Sequence, residues 1–256
     1  MRKLGWCVPL LLAAVVGVWA LKPRPAHAKG SKKKLLYMTM SAGFKHDSVP
    51  MSRDIVKEIG DKSGAFDTTI AEDVTPFTAE NLKNYDAVMF YTTGELPFTE
   101  VQKTIFAGYL AAGHGFIGVH SATDTFYMWD EYHKIIGGYF DGHPWHQQVT
   151  VLAADPDNKI IKHLGKSFTI NDEIYQINDF LPDNHVLLRL DPMSVDRTKP
   201  GVHSRYYMWP LAWTRRYGKG RVFYTALGHE QAVWRDPRFQ ELLLNGIEWS
   251  MGELKE

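Results

Sequence analysis

The chain has 256 residues, which suits one large domain or two small ones. Hydrophobic residues make up 45% of it and charged residues 23%, so a packed core is expected and an intrinsically disordered chain is excluded. Basic and acidic residues number 29 each, so the chain lacks the basic excess that is typical of nucleic-acid-binding proteins.

The N-terminal segment has the pattern of a secretory signal peptide. Arg2-Lys3 is a short basic start, Leu10 to Leu21 is an apolar run, and Ala26-His27-Ala28 is an A-x-A cleavage site. We therefore predict a signal peptide over residues 1–28 and a periplasmic or secreted mature chain with no stable membrane anchor. An uncleaved anchor is the alternative, but the apolar run is short and is interrupted by Gly17.

Removal of that segment changes both the net charge and the cysteine count. Four basic residues and no acidic ones precede position 29, so 29 minus 29 becomes 25 minus 29, a net charge of −4. Cys7 is the only cysteine and lies within the segment. A mature chain without cysteine has no disulfide, no thiol nucleophile and no cysteine-ligated zinc site.

The first half of the mature chain alternates between strands and helices. Strands are predicted at residues 35–40, 86–91 and 115–119 from apolar runs, which indicate burial, and at 66–71 from alternation. Helices are predicted over 48–60 and from Thr99 to Gly113, the second opened by a capping box of Thr99 and Gln102. Apolar strands separated by amphipathic helices predict a parallel sheet covered on both faces.

The pattern changes after about Asp141. Strands are predicted at 148–153, 168–176 and 186–190, followed by a hairpin of 209–217 and 221–227 and a final helix that starts at Asp236-Pro237. We therefore predict an α/β fold, in which one three-layer domain over residues 29–256 combines a parallel sheet with an antiparallel extension.

Four loops at one edge of this sheet are predicted to carry a histidine. His46 follows the first strand, His120 follows the fourth, His143 leads into the extension and His229 follows the hairpin. Ligands of open α/β sheets bind at the carboxyl ends of the strands, so these loops are expected to meet. Asp172-Glu173, on a strand of the extension, could add a carboxylate.

Such a site suits a divalent metal or proton transfer. Imidazole both ligates metals and titrates near neutrality, and two or three histidines with one carboxylate suit zinc or a similar ion. Each of these residues could instead only form hydrogen bonds within its loop. The predicted metal ligands are His120, His143, Glu173 and His229. The predicted catalytic residues are His46, His120 and Asp124.

Residues Gly118 to Ala122 have the form of a nucleophile elbow, a sharp turn between a strand and a helix. The residue at the apex is His120, where a hydrolase would have serine or cysteine. Ser121 stands one residue late, which makes a serine hydrolase a weaker alternative.

Aromatic residues are dense near these loops. Their rings could stack on sugars, although ordinary core packing explains most of them. Trp129 and Trp145 have polar neighbours and are predicted to lie in loops, which makes them better candidates for sugar binding. The predicted substrate-binding residues are Trp129, Trp145 and Tyr175.

Several segments together resemble the ThuA-like (trehalose utilisation) family, and they cover nearly all of the mature chain in order. Each segment alone is unspecific, but the combination is specific. The segments are Gly43 to Ser48, Thr93 to Leu96, Gly115 to Asp124, Gly137 to Pro144, Asp172 to Tyr175, Gly220 to His229 and Asn245 to Trp249.

The resemblance implies a flavodoxin-like fold similar to that of class I glutamine amidotransferases. Those enzymes hold a cysteine at the elbow, so His120 argues against amidotransferase chemistry in this chain. The family context implies carbohydrate metabolism, often beside oxidoreductases that make 3-keto sugars. The pocket residues that the resemblance implies are His46, His120, Asp124, His143, Glu173 and His229.

The sequence thus favours an exported enzyme that isomerises or cleaves oxidised sugars or glycosides, with a histidine-rich and metal-binding site. The expected partner is a small sugar, and neither a nucleotide cofactor nor a nucleic acid is expected. A non-catalytic carbohydrate-binding protein and a hydrolase using Ser121 are the alternatives.

Overall fold

The computed structural model describes residues 32–203 and 208–255. The predicted signal peptide, residues 1–28, lies outside the described residues. Within the described part of the chain, no helix combines the length and the apolar character needed to cross a membrane.

The large sheet is parallel in one half and antiparallel in the other. The strands, in chain order, are β1 (Lys33–Met38), β2 (Phe66–Ala71), β3 (Ala87–Phe90), β4 (Gly115–Val119), β5 (Tyr139–Phe140), β6 (Trp145–Ala153), β7 (Ser167–Ile174), β8 (Ile177–Asn178), β9 (His185–Leu190), β10 (Pro210–Tyr217) and β11 (Gly220–Thr225). Nine of them form one sheet in the order β2-β1-β3-β4-β11-β10-β9-β6-β7, and β5 pairs with β8 in a separate ribbon. From β2 to β11 the neighbours are parallel, and from β11 to β7 they are antiparallel.

Helices cover both faces of the parallel half. The helices of the described chain are α1 (Val49–Ser63), α2 (Ala79–Leu82), α3 (Glu100–Ala111), α4 (Asp130–Ile136), α5 (Gln231–Arg235) and α6 (Pro237–Ser250). One layer contains α1, α5 and α6, which pack on one another, while α3 packs on α2 and α4 in the other layer. The predicted α/β fold, with a mostly parallel core between two helical layers and an antiparallel extension, is confirmed.

The parallel half forms for the reasons that the sequence indicates. Strands β3 and β4 are buried along their whole length, as expected for strands covered on both faces. Helix α3 opens with both bonds of the predicted capping box, between Thr99 and Gln102. Helix α1 ends at Gly64, whose φ of 69° lies in the left-handed region that favours glycine.

The antiparallel half curls over the carboxyl edge of the parallel half. Four strands separate β7 from β4 in the sheet, yet Glu173 of β7 lies 3.4 Å from His120, which directly follows β4. The pairing of β9 with β10 shifts register around Pro210 and Ala212, and irregularities of this kind bend and twist a sheet. This curl brings a carboxylate of the extension to the loops of the parallel half.

The strand starts of the extension lie within one residue of the prediction, with one exception. Strand β6 begins at Trp145, three residues before the predicted start at Gln148, because the alternation of buried and exposed side chains already begins there. Trp145 and Val149 are buried, whereas His146 and Gln148 between them are exposed.

Candidate functional site

His120 lies at the apex of a tight elbow at the end of β4. Its φ of 46° is in the left-handed region, and a short 3₁₀ turn over His120–Thr123 follows directly. A Cβ atom on Gly118 would lie 2.7 Å from the Ile136 Cδ1 atom and 2.9 Å from the Tyr224 Cδ2 atom, so the turn needs a residue without a side chain there. The structure therefore contains the elbow that the sequence predicts, with an imidazole at its apex.

Hydrogen bonds determine which nitrogen of His120 faces the site. The Nδ1 atom lies 2.7 Å from the Ala226 carbonyl oxygen, which can only accept, so Nδ1 carries the proton in neutral imidazole. The Nε2 lone pair then faces Glu173 and His229. The Tyr224 hydroxyl donates to the His120 carbonyl oxygen at 2.6 Å and holds the backbone of the elbow.

His229 lies on a turn that a buried carboxylate holds in place. Asp172, which has no exposed surface, accepts hydrogen bonds from Gly228 N at 2.7 Å and from Glu230 N at 3.1 Å. Burial raises the pKa of Asp172, against the effect of the nearby His120 and of these backbone donors. Sequence reasoning noticed Asp172 only as a possible extra carboxylate and missed this structural role.

Glu173 connects three of the predicted histidines. Its Oε2 atom lies 3.1 Å from His229 Nδ1 and 3.4 Å from His120 Nε2, and its Oε1 atom lies 3.2 Å from His143 Nδ1. Burial alone would raise the pKa of Glu173, but the facing imidazoles of His120 and His229 reverse this and hold the pKa well below its usual range. Glu173 is therefore a carboxylate ion in the folded protein.

His46 is buried beside these residues. Its ring centre lies 4.9 Å from that of His120 and 5.1 Å from that of His229, nearly perpendicular to both. Burial, together with His120 and His229, lowers the pKa of His46 to about 3, so its imidazole is neutral near pH 7. The His46 Nδ1 atom is buried and makes no hydrogen bond.

These side chains form a donor set that fits a divalent ion. One ligand atom from each of four residues, His46, His120, Glu173 and His229, lies within 4.8 Å of the other three. The distances of 3.1–3.4 Å among His120, Glu173 and His229 are close to the roughly 3.3 Å that separates the ligands of a tetrahedral zinc ion with bonds of about 2.0–2.1 Å. The buried nitrogen of His46 would gain a partner. We call this the His–Glu cluster.

The structure brings three of the four predicted metal ligands together with a different fourth residue. His120, Glu173 and His229 meet as predicted, but the fourth member of the cluster is His46, which was predicted as a proton-transfer residue. The side chain of His143 is 49% exposed and contacts only the outer oxygen of Glu173 within this set. The curl of the extension places His143 at the rim, and His46, from the loop after β1, takes the fourth position of the cluster.

Asp124 lies at the same edge and is half-buried. The Tyr127 hydroxyl donates a hydrogen bond of 2.7 Å to the Asp124 carboxylate. Burial raises the pKa of Asp124, although Tyr127, His120 and His143 oppose that effect. A carboxyl with a raised pKa beside the His–Glu cluster is suited to proton transfer.

The predicted aromatic residues have different positions. The ring of Tyr175 is buried, with its centre 4.2 Å from that of His120. Trp145 is not in a polar loop: it has no exposed surface, and its Nε1–H donates to the Asp196 carbonyl oxygen at 2.9 Å. Trp129 packs on Phe106 and on other rings of the core. Of the three, only Tyr175 touches the cluster. Polar neighbours in the sequence suggest a loop, but they do not reveal which face of a strand a residue such as Trp145 occupies.

Ser121 has no geometry for covalent catalysis. Its hydroxyl oxygen is buried and makes no hydrogen bond, so no imidazole activates it as a nucleophile. The structure therefore gives no support to a serine hydrolase.

Two further groups of charged residues are present, and the first of them shares His229 with the cluster. His146, His229 and Glu230 form a more exposed group, in which His146 Nε2 lies 2.6 Å from a Glu230 oxygen. A cavity of about 610 Å³ lies beside β9 and β10, and its lining includes Asp155, Asp183 and Arg215. These carboxylates pair with His185 and Arg215, so they form ion pairs away from the cluster.

Comparison with known proteins agrees with this description. A sequence model described as trehalose utilisation (ThuA) matches residues 34–250. No curated protein matches the chain. A ThuA-like protein of Bacteroides uniformis is 24% identical with a TM-score of 0.74, over 88% of this chain and 93% of that one. A ThuA-like protein of Parabacteroides merdae is 21% identical with a TM-score of 0.70, over 88% of this chain and 92% of that one.

A more distant similarity extends to part of a larger enzyme. A β-galactosidase of Bacillus circulans is 15% identical with a TM-score of 0.53, over 84% of this chain but only 31% of the galactosidase. At this identity the similarity shows the fold alone. The family match, in contrast, spans most of the chain and includes every residue of the His–Glu cluster, so the chain belongs to the trehalose utilisation (ThuA) family.

Proposed function

We propose that this protein is a metal-dependent enzyme that isomerises or cleaves oxidised (3-keto) sugars or glycosides. The observation that carries the proposal is the convergence of three imidazoles and one carboxylate at the edge where α/β folds bind ligands. The family description, trehalose utilisation, supports a carbohydrate as the substrate class.

The chain provides both parts of such a site. His46, His120, Glu173 and His229 would hold the ion, with the carbonyl of Ala226 keeping His120 in the tautomer that presents Nε2. A bound zinc or similar ion supplies a Lewis acid that polarises a keto or hydroxyl oxygen. The negative charge of Glu173 offsets part of the charge of the ion in a mostly buried position.

Asp124 and His143 are the proposed proton-transfer residues. Both lie beside the cluster without belonging to it, and His143 is open to solvent. One of them would remove the proton from the carbon next to the keto group. In an isomerisation that proton moves to the former keto carbon, and the proton of the neighbouring hydroxyl moves to the former keto oxygen. In a cleavage the glycosidic carbon–oxygen bond breaks, and the leaving oxygen takes a proton.

Metal content and turnover together test the proposal. Purified wild type should contain about one equivalent of a divalent metal by elemental analysis, and Glu173→Gln should lose most of it. His185→Asn is a matched control, because His185 also pairs with a carboxylate, that of Asp155, but lies on β9 and outside the cluster. Turnover of glycosides and 3-keto glycosides should require the metal and should fall in Asp124→Asn with metal content unchanged.

Two results would overturn the proposal. Wild type that takes up no metal and keeps full turnover would exclude the metal-dependent reaction. Sugar binding that is insensitive to chelator and never leads to turnover would identify a carbohydrate-binding protein instead.

We also propose that the protein is exported to the periplasm or beyond the cell. The support is the signal-peptide pattern of residues 1–28. N-terminal sequencing of protein expressed from the full-length gene should start at Lys29, and protein that remains in the cytoplasm with an intact Met1 would contradict export.

A further inference from the structure

One large aromatic side chain beside the His–Glu cluster is exposed. Phe44 lies two residues before His46 and is 64% exposed. Its ring centre lies 4.9 Å from that of His46 and 6.5 Å from that of His229, and the Phe44 and His229 rings are within 20° of parallel. The ring thus lies against two of the histidines and presents its remaining surface to solvent.

The backbone around Phe44 is held by hydrogen bonds. The hydroxyl of Thr93 donates to the Phe44 carbonyl oxygen at 2.8 Å and accepts from Gly43 N at 3.2 Å. The Thr93 carbonyl oxygen in turn accepts from Ala42 N at 2.8 Å. Three bonds from one residue fix the chain on both sides of Phe44. The exposure of its ring is therefore a property of an ordered loop.

A second set of rings lies against His120 of the cluster and His143 at its rim. Tyr175 packs on His120, and Phe140 lies 4.3 Å from Tyr175 between ring centres. Phe140 also stacks on His143, with ring centres 5.7 Å apart and planes 21° apart. Aromatic rings therefore border the cluster on two sides, at His46 and His229 and at His120.

We propose that Phe44 is the platform on which the apolar face of a pyranose ring stacks. This inference rests on the proposed sugar-processing function and assigns a binding residue to it. A pyranose has an apolar C–H face and a polar hydroxyl edge, which match an aromatic ring next to ionised and neutral polar groups. A single ring, flanked by the exposed Gly43 and Lys45, suits a small cyclic ligand better than a protein surface.

The test compares two variants of Phe44 with a control. Phe44→Ala removes the platform and Phe44→Trp retains it. Met193→Ala removes an apolar side chain that is 82% exposed in the extension. Binding of methyl β-D-glucopyranoside and of sorbitol, which has similar hydroxyl groups but no ring, is measured by calorimetry, together with metal content and the KM and kcat of any substrate that is turned over.

We expect Phe44→Ala to raise the Kd for the pyranoside and the KM about three- to tenfold, which is the range expected for one aromatic stacking contact. Metal content, kcat and sorbitol binding should not change, and Phe44→Trp and Met193→Ala should behave as wild type. An unchanged Kd for the pyranoside would overturn the platform, as would wild type that binds no pyranoside. A loss of metal in Phe44→Ala would also overturn it, because the ring would then support the histidines. Pyranoside binding can be measured without turnover, so this test is separate from that of the proposed reaction.

Discussion

Gly94 joins two of the loops that form the site, and replacing it with alanine tests whether their close approach is required. Its N–H donates to the Asp124 carbonyl oxygen at 2.7 Å, and its own carbonyl oxygen accepts from Phe126 N at 3.2 Å. On the other side, a Cβ atom at Gly94 would lie 2.8 Å from Gly43 N and 3.0 Å from the Ala42 carbonyl carbon. The loop of Phe44 and His46 therefore packs directly on a glycine.

The substitution Gly94→Ala lowers the free energy of unfolding for two reasons, and the same substitution at Gly64 measures one of them alone. The φ of Gly94 is 73°, where an alanine costs about 1–2 kcal/mol. The contacts with backbone atoms, which cannot rotate away, add about 1–3 kcal/mol of overpacking. Gly64 has a similar φ of 69°, but no atom lies within 4 Å of the place that an alanine methyl group would take, so Gly64→Ala has only the first cost. The free energies of unfolding of the two variants should therefore differ by about 1–3 kcal/mol, which is the cost of crowding where Gly94 packs on Ala42 and Gly43.

The assay is unfolding in urea, monitored by circular dichroism, with metal content determined in parallel. Gly94→Ala should have a lower free energy of unfolding than Gly64→Ala and should bind metal more weakly, because relief of the clash moves the loop that carries His46. Gly64→Ala should bind as much metal as wild type does. Equal stability of the two variants, or full metal binding by Gly94→Ala, would refute the reasoning.

Two further substitutions test other contacts of the structure. Asp172→Asn should weaken metal binding about tenfold, as for other groups that hold a ligand in place. Each carboxylate oxygen of Asp172 accepts from one backbone donor, Gly228 N or Glu230 N, and the amide nitrogen that replaces one oxygen in asparagine cannot accept. Unchanged affinity in a metal titration would show that the turn does not depend on this carboxylate. Asp236→Ala should lower the free energy of unfolding by about 1 kcal/mol at pH 7, because Asp236 caps α6. Burial alone would raise the pKa of Asp236, but bonds from Arg238 outweigh it and lower the pKa, so its contribution is present above about pH 4 and is lost as the pH falls through the lowered pKa. Urea unfolding at a series of pH values should show the two proteins converge in acid, and a constant difference would contradict this account.

The parallel half of the fold could be predicted because its signals are local. A buried strand such as β4 is a continuous apolar run, and the capping box of α3 is contained in four residues. The rule that loops meet at the carboxyl edge then brought His46, His120 and His229 together without any knowledge of packing.

The composition of the cluster could not be predicted, because it depends on how the extension curls. The sequence places Glu173 on a strand but does not say that this strand, at the far end of the sheet, returns to His120. The same curl decides that His46 is inside and His143 is at the rim. For Trp145 a signal was present, since the alternation with Val149 and Val151 places all three on one buried face of β6.

The elbow shows why the histidine at its apex is best explained by chemistry. A non-glycine residue with a φ of 46° costs about 1–3 kcal/mol, and glycine would adopt that conformation without the cost. The surroundings nevertheless hold His120 there through the hydroxyl of Tyr224 and the carbonyl of Ala226. The bond from Nδ1 to the Ala226 carbonyl fixes the orientation of the imidazole, the Tyr224 hydroxyl holds the backbone, and neither bond uses the Nε2 atom, which faces Glu173 and His229. A strained, fully buried residue whose Nε2 lone pair faces two other polar groups costs stability at that position. That cost is expected where the lone pair is used to bind an ion or a proton.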